Sequence, residues 1–204
     1  MATLALALYV VYLVLAFGLR TLIQLRRTGS TGFHGLGGRP GSAEWIAGVG
    51  FTVALLVGAA APVLALLGVV EPIAALDTAA VHAAGAILAV AGLGLTFYAQ
   101  VAMGNSWRIG VDPEERTELV TTGPFALVRN PIFAAMLPTG LGLTLLVPSW
   151  VAIAGLIGLV AALELQVRVV EEPHLLRAHG PAYADYAARV GRFLPGVGRL
   201  SSAG

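Results

Sequence analysis

Apolar residues are grouped in this chain into five long runs, and short polar stretches between the runs hold nearly all of the charge. A helix needs about twenty apolar residues to cross the roughly 30 Å hydrocarbon core of a bilayer. Four runs reach that length, and the fourth in chain order is shorter. The pattern predicts five transmembrane helices over Thr3–Ile23, Trp45–Gly68, Val81–Met103, Ile132–Val147 and Trp150–Val170.

Composition supports the membrane assignment. Of the 204 residues, 57% are hydrophobic and only 11% are charged, whereas soluble domains carry roughly 25% charged residues. We therefore predict an all-α, polytopic integral membrane protein of one structural domain. Residues 1–103 form its membrane scaffold. Residues 104–204 hold a cytoplasmic cofactor-binding segment, a helical hairpin and a C-terminal interfacial helix.

Glycine, proline and tyrosine residues give further predictions about helix packing and helix ends. Four glycines predict close packing of the fourth and fifth helices against each other, and these are Gly140, Gly142, Gly155 and Gly158. Pro173 is expected to break or kink the fifth helix at the acidic pair before it. Beyond it, Tyr183 and Tyr186 recur at helical spacing, which predicts a helix on the membrane surface with its tyrosines in the interfacial belt.

Arginine distribution predicts the orientation. All twelve basic residues are Arg, and none lies in the second or fourth connection. The positive-inside rule then places the N-terminus outside and the C-terminus in the cytoplasm. Arginine without lysine, with abundant Ala and Gly, is typical of the coding bias of a GC-rich bacterium, so we expect the inner membrane. Arg20, near the end of the first span, is expected to reach the headgroups by extending its side chain.

Candidate chemistry is confined to the second half of the chain. A polar segment, Leu119–Pro131, leads into the apolar hairpin, which ends on Glu171-Glu172-Pro173; Gly180-x-x-Tyr183-x-x-Tyr186 follows. These blocks, in this order and spacing, resemble the isoprenylcysteine carboxyl methyltransferase and phospholipid methyltransferase family over Asn105–Pro195. The sequence lacks the glycine-rich fingerprints of phosphate-loop and dinucleotide-binding proteins. It contains no Cys, and its four His do not have metal-ligand spacing. We expect neither a metal nor a nucleic-acid partner.

The resemblance implies S-adenosylmethionine as cofactor. By the family pattern, the cofactor-binding residues are Glu118, Leu119, Val120, Phe125, Arg129, Asn130, Pro131, Phe133, Glu171 and Glu172. This chain departs from the family where His, Tyr and Gly are usual, because it has Asn130, Phe133 and Ala135 there. Those substitutions reshape the expected cofactor slot, and the hydrogen bonds of the family's His and Tyr do not carry over.

Chemical complementarity agrees with this assignment. The cofactor has an ammonium group that needs acceptors, which Glu171 and Glu172 can supply. Its carboxylate needs donors, which Arg129 and backbone N–H groups near Asn130 can supply at the start of a helix. Leu119, Val120, Phe125 and Phe133 offer apolar walls for the adenine.

Arg168 and Glu172 are the predicted catalytic residues. They are one helical turn apart, so they are expected to share a face. Arg168 would then meet an anionic, lipid-like methyl acceptor. The alternative is that Glu164, Arg168 and Glu172 form only a helix-stabilising charge series.

Other polar residues have structural alternatives. Asp112 and Pro113 predict a capped helical turn. Trp107 is either an interfacial anchor or a pocket wall, and Gln100 is expected to bridge helices rather than bind substrate.

The predicted function is a membrane methyltransferase that acts on a lipid-like or apolar acceptor among membrane lipids. A prenylcysteine-like carboxylate, a lipid amine and a small thiol all remain open as acceptors. Two alternatives of other classes are a non-catalytic membrane scaffold with a degenerate site and a membrane reductase that uses a nicotinamide cofactor.

Overall fold

The protein is a bundle of long helices in the computed structural model, which describes residues 1–33, 35, 37–108 and 118–200. Four helices are long and apolar enough to cross a membrane, and a shorter apolar helix accompanies them. The predicted polytopic, all-α class is confirmed. In chain order the helices are α1 (Ala2–Thr28), α2 (Ala43–Leu66), α3 (Ala79–Ala102), α4 (Pro131–Leu146), α5 (Trp150–His179) and α6 (Pro181–Arg189).

Polar caps set the starts of three membrane helices. The side chains of Ser42, Thr78 and Ser149 accept hydrogen bonds from backbone N–H groups in the first turns of α2, α3 and α5. Such caps satisfy donors that have no acceptor within the helix. At its other end, α1 stops at Gly29, whose φ of 76° is a left-handed conformation that glycine adopts without a steric penalty.

Helix α4 packs closely against α3 rather than against its hairpin partner. A methyl group added at Gly142 would lie 2.5 Å from the carbonyl oxygen of Gly85, and one added at Gly85 would lie 2.8 Å from that of Gly142. A methyl group added at Gly92 would lie 2.6 Å from the backbone nitrogen of Thr139 and 2.9 Å from the carbonyl oxygen of Ala135. These contacts leave no room for a side chain.

Helix α5 packs in the same way against α2. A methyl group added at Gly155 would lie 3.0 Å from the backbone nitrogen of Gly58, and Gly158 faces Ala54. Of the four glycines predicted to join α4 to α5, only Gly140 faces the hairpin partner, at Leu156 and Leu159. The prediction is wrong for the other three because the hairpin helices pack against α3 and α2.

Helix α5 continues through Pro173, so the predicted break at the acidic pair is wrong. The helix widens to a π-helical turn over Gln166–Glu171 and continues as an α-helix over Glu172–His179. Pro173 lies in the first turn of that last segment, where its missing N–H is tolerated. The shift in hydrogen-bond register, instead of a break, changes which side chains face the interior.

Helix α6 forms where the sequence predicts it, but its tyrosines face the protein. Tyr183 and Tyr186 are buried with Ala187, and Leu119 and Leu175 pack against them. Their expected place in the interfacial belt is therefore wrong. The C-terminal tail instead covers the polar segment that precedes α4.

The contact between α3 and α4 gives a stability prediction. Gly142→Ala would drive a methyl group into the α3 backbone, and overpacking of this kind costs about 1–3 kcal/mol. We expect a lower thermal unfolding midpoint in detergent. Gly94→Ala is the matched control, because Gly94 lies on α3 with no atom within 4 Å of the added methyl group. Equal midpoints for both variants would contradict the packing described.

Candidate functional site

A cavity of about 570 Å³ lies between the membrane helices and the polar segment before α4. Its walls come from both halves of the chain. All predicted cofactor-binding residues except Glu172 line it: Glu118, Leu119, Val120, Phe125, Arg129, Asn130, Pro131, Phe133 and Glu171. The structure thus gathers residues that are more than fifty positions apart in the sequence around one cavity.

Phe125 is held in the cavity wall by a short turn and by the tail. Residues Gly123–Ala126 form a 3-10 turn that begins at a glycine with φ of 59° and continues with Pro124. The hydroxyl of Tyr186 donates to the Phe125 carbonyl oxygen at 2.6 Å. Burial raises the pKa of Tyr186 to about 12, so the phenol stays protonated and remains a donor.

The backbone before α4 is paired with the tail. Arg129 N donates to Gly191 O at 2.8 Å, and Asn130 N donates to Arg192 O at 3.1 Å. The Asn130 side chain donates to the same carbonyl oxygen at 3.1 Å. The N–H groups of Arg129 and Asn130 predicted as ligand donors are therefore occupied. The backbone N–H of Ile132, in the first turn of α4, has no acceptor within the helix. Ile132 also lines the cavity.

Glu172 is buried in a charged cluster instead of facing the cavity. Its side chain is only 7% exposed. Arg192 binds both carboxylate oxygens at 2.8 Å through Nε and Nη2, and Arg129 Nη2 donates to Oε1 at 2.5 Å. Hydrogen bonding to Glu172 raises the pKa of Arg192. Because two guanidinium groups occupy both oxygens of this carboxylate and Glu172 does not line the cavity, the structure does not bring Glu172 to the predicted cofactor.

Glu171 is the member of the acidic pair that lines the cavity. Gln166 Nε2 donates to its Oε1 at 3.3 Å. Glu44 and Glu118 also line the cavity, as do two arginines, of which Arg129 is already neutralised by Glu172. The lining carboxylates make the cavity suited to a cationic ligand.

Arg168 lies away from the cavity. Its side chain is 57% exposed and pairs with Glu164 across one helical turn. The prediction that Arg168 shares a face with Glu172 is wrong, because the π-helical turn between them rotates one outward and the other inward. A catalytic role for Arg168 is untested, and its position does not support that role.

Several cavity residues were not identified from the sequence. Phe33 and Glu44, near the glycine-rich first connection, and Phe51 on α2 all line the cavity. The family resemblance covers only Asn105–Pro195, so it assigns no site residue to this connection. A general signal was available, since binding residues are found disproportionately on loops that a rigid scaffold positions.

Trp107 is a wall residue, and Arg20 lies behind it. The Trp107 side chain is buried and lines the cavity, with the Arg20 guanidinium carbon 4.6 Å from its ring centroid. Arg20 donates to the carbonyl oxygens of Gln100 and Gly104 and is only 1% exposed, so the expected extension to the headgroups is wrong. Gln100 donates to Ala16 O at 2.9 Å, which confirms its helix-bridging role. The turn predicted at Asp112 lies outside the described residues.

Comparison with known proteins gives the family. Residues 80–182, half of the chain, match the sequence profile of phospholipid methyltransferases. The chain belongs to the phospholipid methyltransferase family. Its fold matches the eukaryotic intramembrane Ras methyltransferase ICMT, isoprenylcysteine carboxyl methyltransferase, with a TM-score of 0.64 over 97% of this chain and 70% of that one. At 18% identity, this match establishes the fold alone.

Two curated bacterial proteins are also similar. The nickel-cobalt-cadmium resistance protein NccN of Alcaligenes xylosoxydans is 32% identical over 54% of this chain and 50% of its own length. The cobalt-zinc-cadmium resistance protein CzcN of Cupriavidus metallidurans is 29% identical over 50% of this chain and 48% of its own. The chain spans about half the length of these relatives. Within its described part, no group of three or more metal-ligating side chains is found.

Glu171 faces the cavity, whereas Glu172 is buried between two arginines. This difference gives a stability prediction for Glu172. Glu172→Gln would leave two buried arginines without their carboxylate, and breaking a buried ion pair costs about 3–5 kcal/mol. We expect a large fall in the thermal unfolding midpoint. Glu164→Gln, which removes an exposed pair with Arg168, should cost at most about 1 kcal/mol. A stable Glu172→Gln protein would show that the cluster does not support the fold.

Proposed function

We propose that this protein is a membrane methyltransferase that uses S-adenosylmethionine and methylates an apolar or lipid-like acceptor. The observation that supports the proposal best is the single cavity that collects the predicted cofactor residues and presents Glu171, Glu118 and Glu44. Membership of the phospholipid methyltransferase family supports the same reaction class.

The cavity residues fit the cofactor's chemistry. Glu171 would accept hydrogen bonds from the α-ammonium group, and the first-turn N–H of Ile132 would donate to the carboxylate. Leu119 and Phe125 offer apolar surfaces to the adenine. When bound, the cofactor supplies an electrophilic methyl group on a sulfonium. Phe133 brings no hydroxyl to this site, so the hydrogen bond of the family's tyrosine is replaced by packing.

An apolar pocket adjoins the cavity and supports an apolar acceptor. It has a volume of about 50 Å³ and lies between residues of α1, α2, α4 and α5. Tyr9, Tyr12, Leu55 and Met136 line both spaces. The described residues around the pocket include no charged side chain. An acceptor's apolar part would enter this pocket while its nucleophilic group stays at the cavity.

The chain's contribution to the reaction is placement and exclusion of water. Transfer of a methyl group by in-line displacement needs two reactants held in line, and orientation of this kind lowers a barrier substantially. Phe51, Phe125 and Phe133 surround the cavity with apolar rings. Carboxylates near a sulfonium favour binding of the cationic ligand. An acceptor that is already nucleophilic, such as a carboxylate, then needs no acid or base for the transfer.

Titration of the detergent-purified protein with S-adenosylmethionine, and separately with NADPH, tests the proposal. We expect saturable binding of the former and none of the latter. Binding of NADPH alone would favour the reductase alternative. Binding of neither would favour the non-catalytic scaffold.

Glu171 gives the sharpest residue-level prediction. Losing a charged hydrogen bond costs about 1.5–3 kcal/mol, which corresponds to a roughly 10- to 150-fold weaker affinity. Glu171→Gln should therefore weaken S-adenosylmethionine binding by that factor, measured by isothermal titration calorimetry. Glu164→Gln, on the exposed side of the same helix, should bind normally. Unchanged affinity for Glu171→Gln would remove Glu171 from the site.

We also propose that the cavity opens to the cytoplasm, with the N-terminus outside the inner membrane. The one-sided arginine distribution supports this orientation. Single cysteines that replace the exposed Asp77 should react with an impermeant thiol reagent in sealed cells. Those that replace Ser30 or Asp185, also exposed, should react only after lysis. Labelling of Ser30→Cys in intact cells would reverse the orientation.

A further inference from the structure

We propose that the C-terminal tail beyond α6 is a working part of the cofactor site, and that Arg192 is a positioning residue for Arg129 and for the start of α4. This inference rests on the proposed function, since it concerns the same cavity. The inference is based on the pairing of residues 190–198 with residues 128–130 through backbone hydrogen bonds.

Arg129 is held by the last turn of α6, by the tail and by Glu172. Its Nη1 donates to Ala187 O at 3.0 Å and to Val190 O, and its Nη2 donates to Gly198 O at 3.0 Å as well as to Glu172. A guanidinium group has five N–H donors, and only Nε lacks a protein acceptor here. Arg129 thus lines the cavity with its orientation fixed by distant residues.

Arg192 fixes the other partner in the cluster. Its two-pronged contact with Glu172 holds both carboxylate oxygens at 2.8 Å. One oxygen is shared with Arg129, so movement of Glu172 would also move Arg129. Planar guanidinium–carboxylate pairs of this kind fix direction as well as distance. Arg192 therefore acts on the cavity through Glu172 without lining it.

The tail backbone positions the cavity wall directly. Val128 and Gly191 form an isolated parallel bridge, and the carbonyl oxygens of Gly191 and Arg192 accept from the N–H groups of Arg129 and Asn130. Those residues immediately precede α4. Arg192 is thus joined to this segment by its side chain and by its own carbonyl oxygen.

Gly191 is required for the compact turn that presents these carbonyls. Arg192 N donates to Val197 O at 2.7 Å, which closes the turn. A methyl group added at Gly191 would lie 2.7 Å from the backbone nitrogen of Gly196 and would also collide with the carbonyl oxygen of Leu194. Gly191→Ala therefore disturbs the tail by a steric route that leaves every charge in place.

Two variants test the inference, one by removing side-chain hydrogen bonds and the other by disturbing the backbone turn. Arg192→Met removes the two-pronged contact, and Gly191→Ala opens the turn. Arg189→Met is the control, because Arg189 is exposed at the end of α6. Each full-length protein is purified in detergent. Affinity for S-adenosylmethionine is measured by calorimetry, and hydrogen–deuterium exchange is measured without ligand for the peptide that holds Arg129 and Asn130.

Both Arg192→Met and Gly191→Ala should weaken cofactor binding by at least about tenfold and should accelerate exchange at Arg129 and Asn130. Arg192→Lys keeps the charge without the planar fork, so it should fall between wild type and Arg192→Met. The control should match wild type in both measurements. Unchanged affinity in both variants, or a lower unfolding midpoint with unchanged exchange, would overturn the inference.

The exchange measurement separates this inference from the proposed function. If the wild-type protein does not bind S-adenosylmethionine, the proposed function fails. Faster exchange in both tail variants would then still support positioning of the Arg129 segment by the tail, and unchanged exchange would refute it.

Discussion

The burial of one carboxylate, that of Glu172, constrains the rest of the site. A charge held away from water at the end of a membrane helix must be paired, because the desolvation cost is otherwise too large. Arg129 and Arg192 provide that pairing. To do so, the segment before α4 and the C-terminal tail must meet at the end of α5. The neighbouring Glu171 is left to face the cavity.

The bundle meets this constraint through close helix contacts on both sides of the hairpin. Gly142 lets α4 approach α3, and Gly155 lets α5 approach α2. These contacts fix the hairpin whose two ends carry Pro131 and Glu171. The π-helical turn over Gln166–Glu171 then rotates the end of α5, so that Arg168 points outward while Glu172 points inward. Membrane packing and site geometry are therefore coupled through α5.

Local patterns predicted the helices and the part of the cavity wall that the polar segment before α4 and Glu171 supply. They did not predict which charged side chains pair with one another. Hydrophobic runs identify spans because span length is a local property, and the motif around Arg129 marks the site for the same reason. The partner of Glu172 depends on a tail that returns from twenty residues away. Glycines at helix interfaces were also recognised correctly, yet a glycine-containing face does not specify which helix covers it. A one-residue change in helical register, as near Arg168, is equally invisible in the sequence.

The proposed activity of this membrane bundle is transfer of a methyl group to an apolar acceptor. The most direct measurement incubates purified protein with S-adenosylmethionine, radiolabelled in its methyl group, and a lipid and small-molecule extract of bacterial membranes. We expect radioactivity in the organic-extractable fraction that depends on wild-type protein and falls when Glu171 is replaced by Gln. No transfer into any extractable molecule, from a protein that is folded and saturated with the cofactor, would contradict the proposed activity.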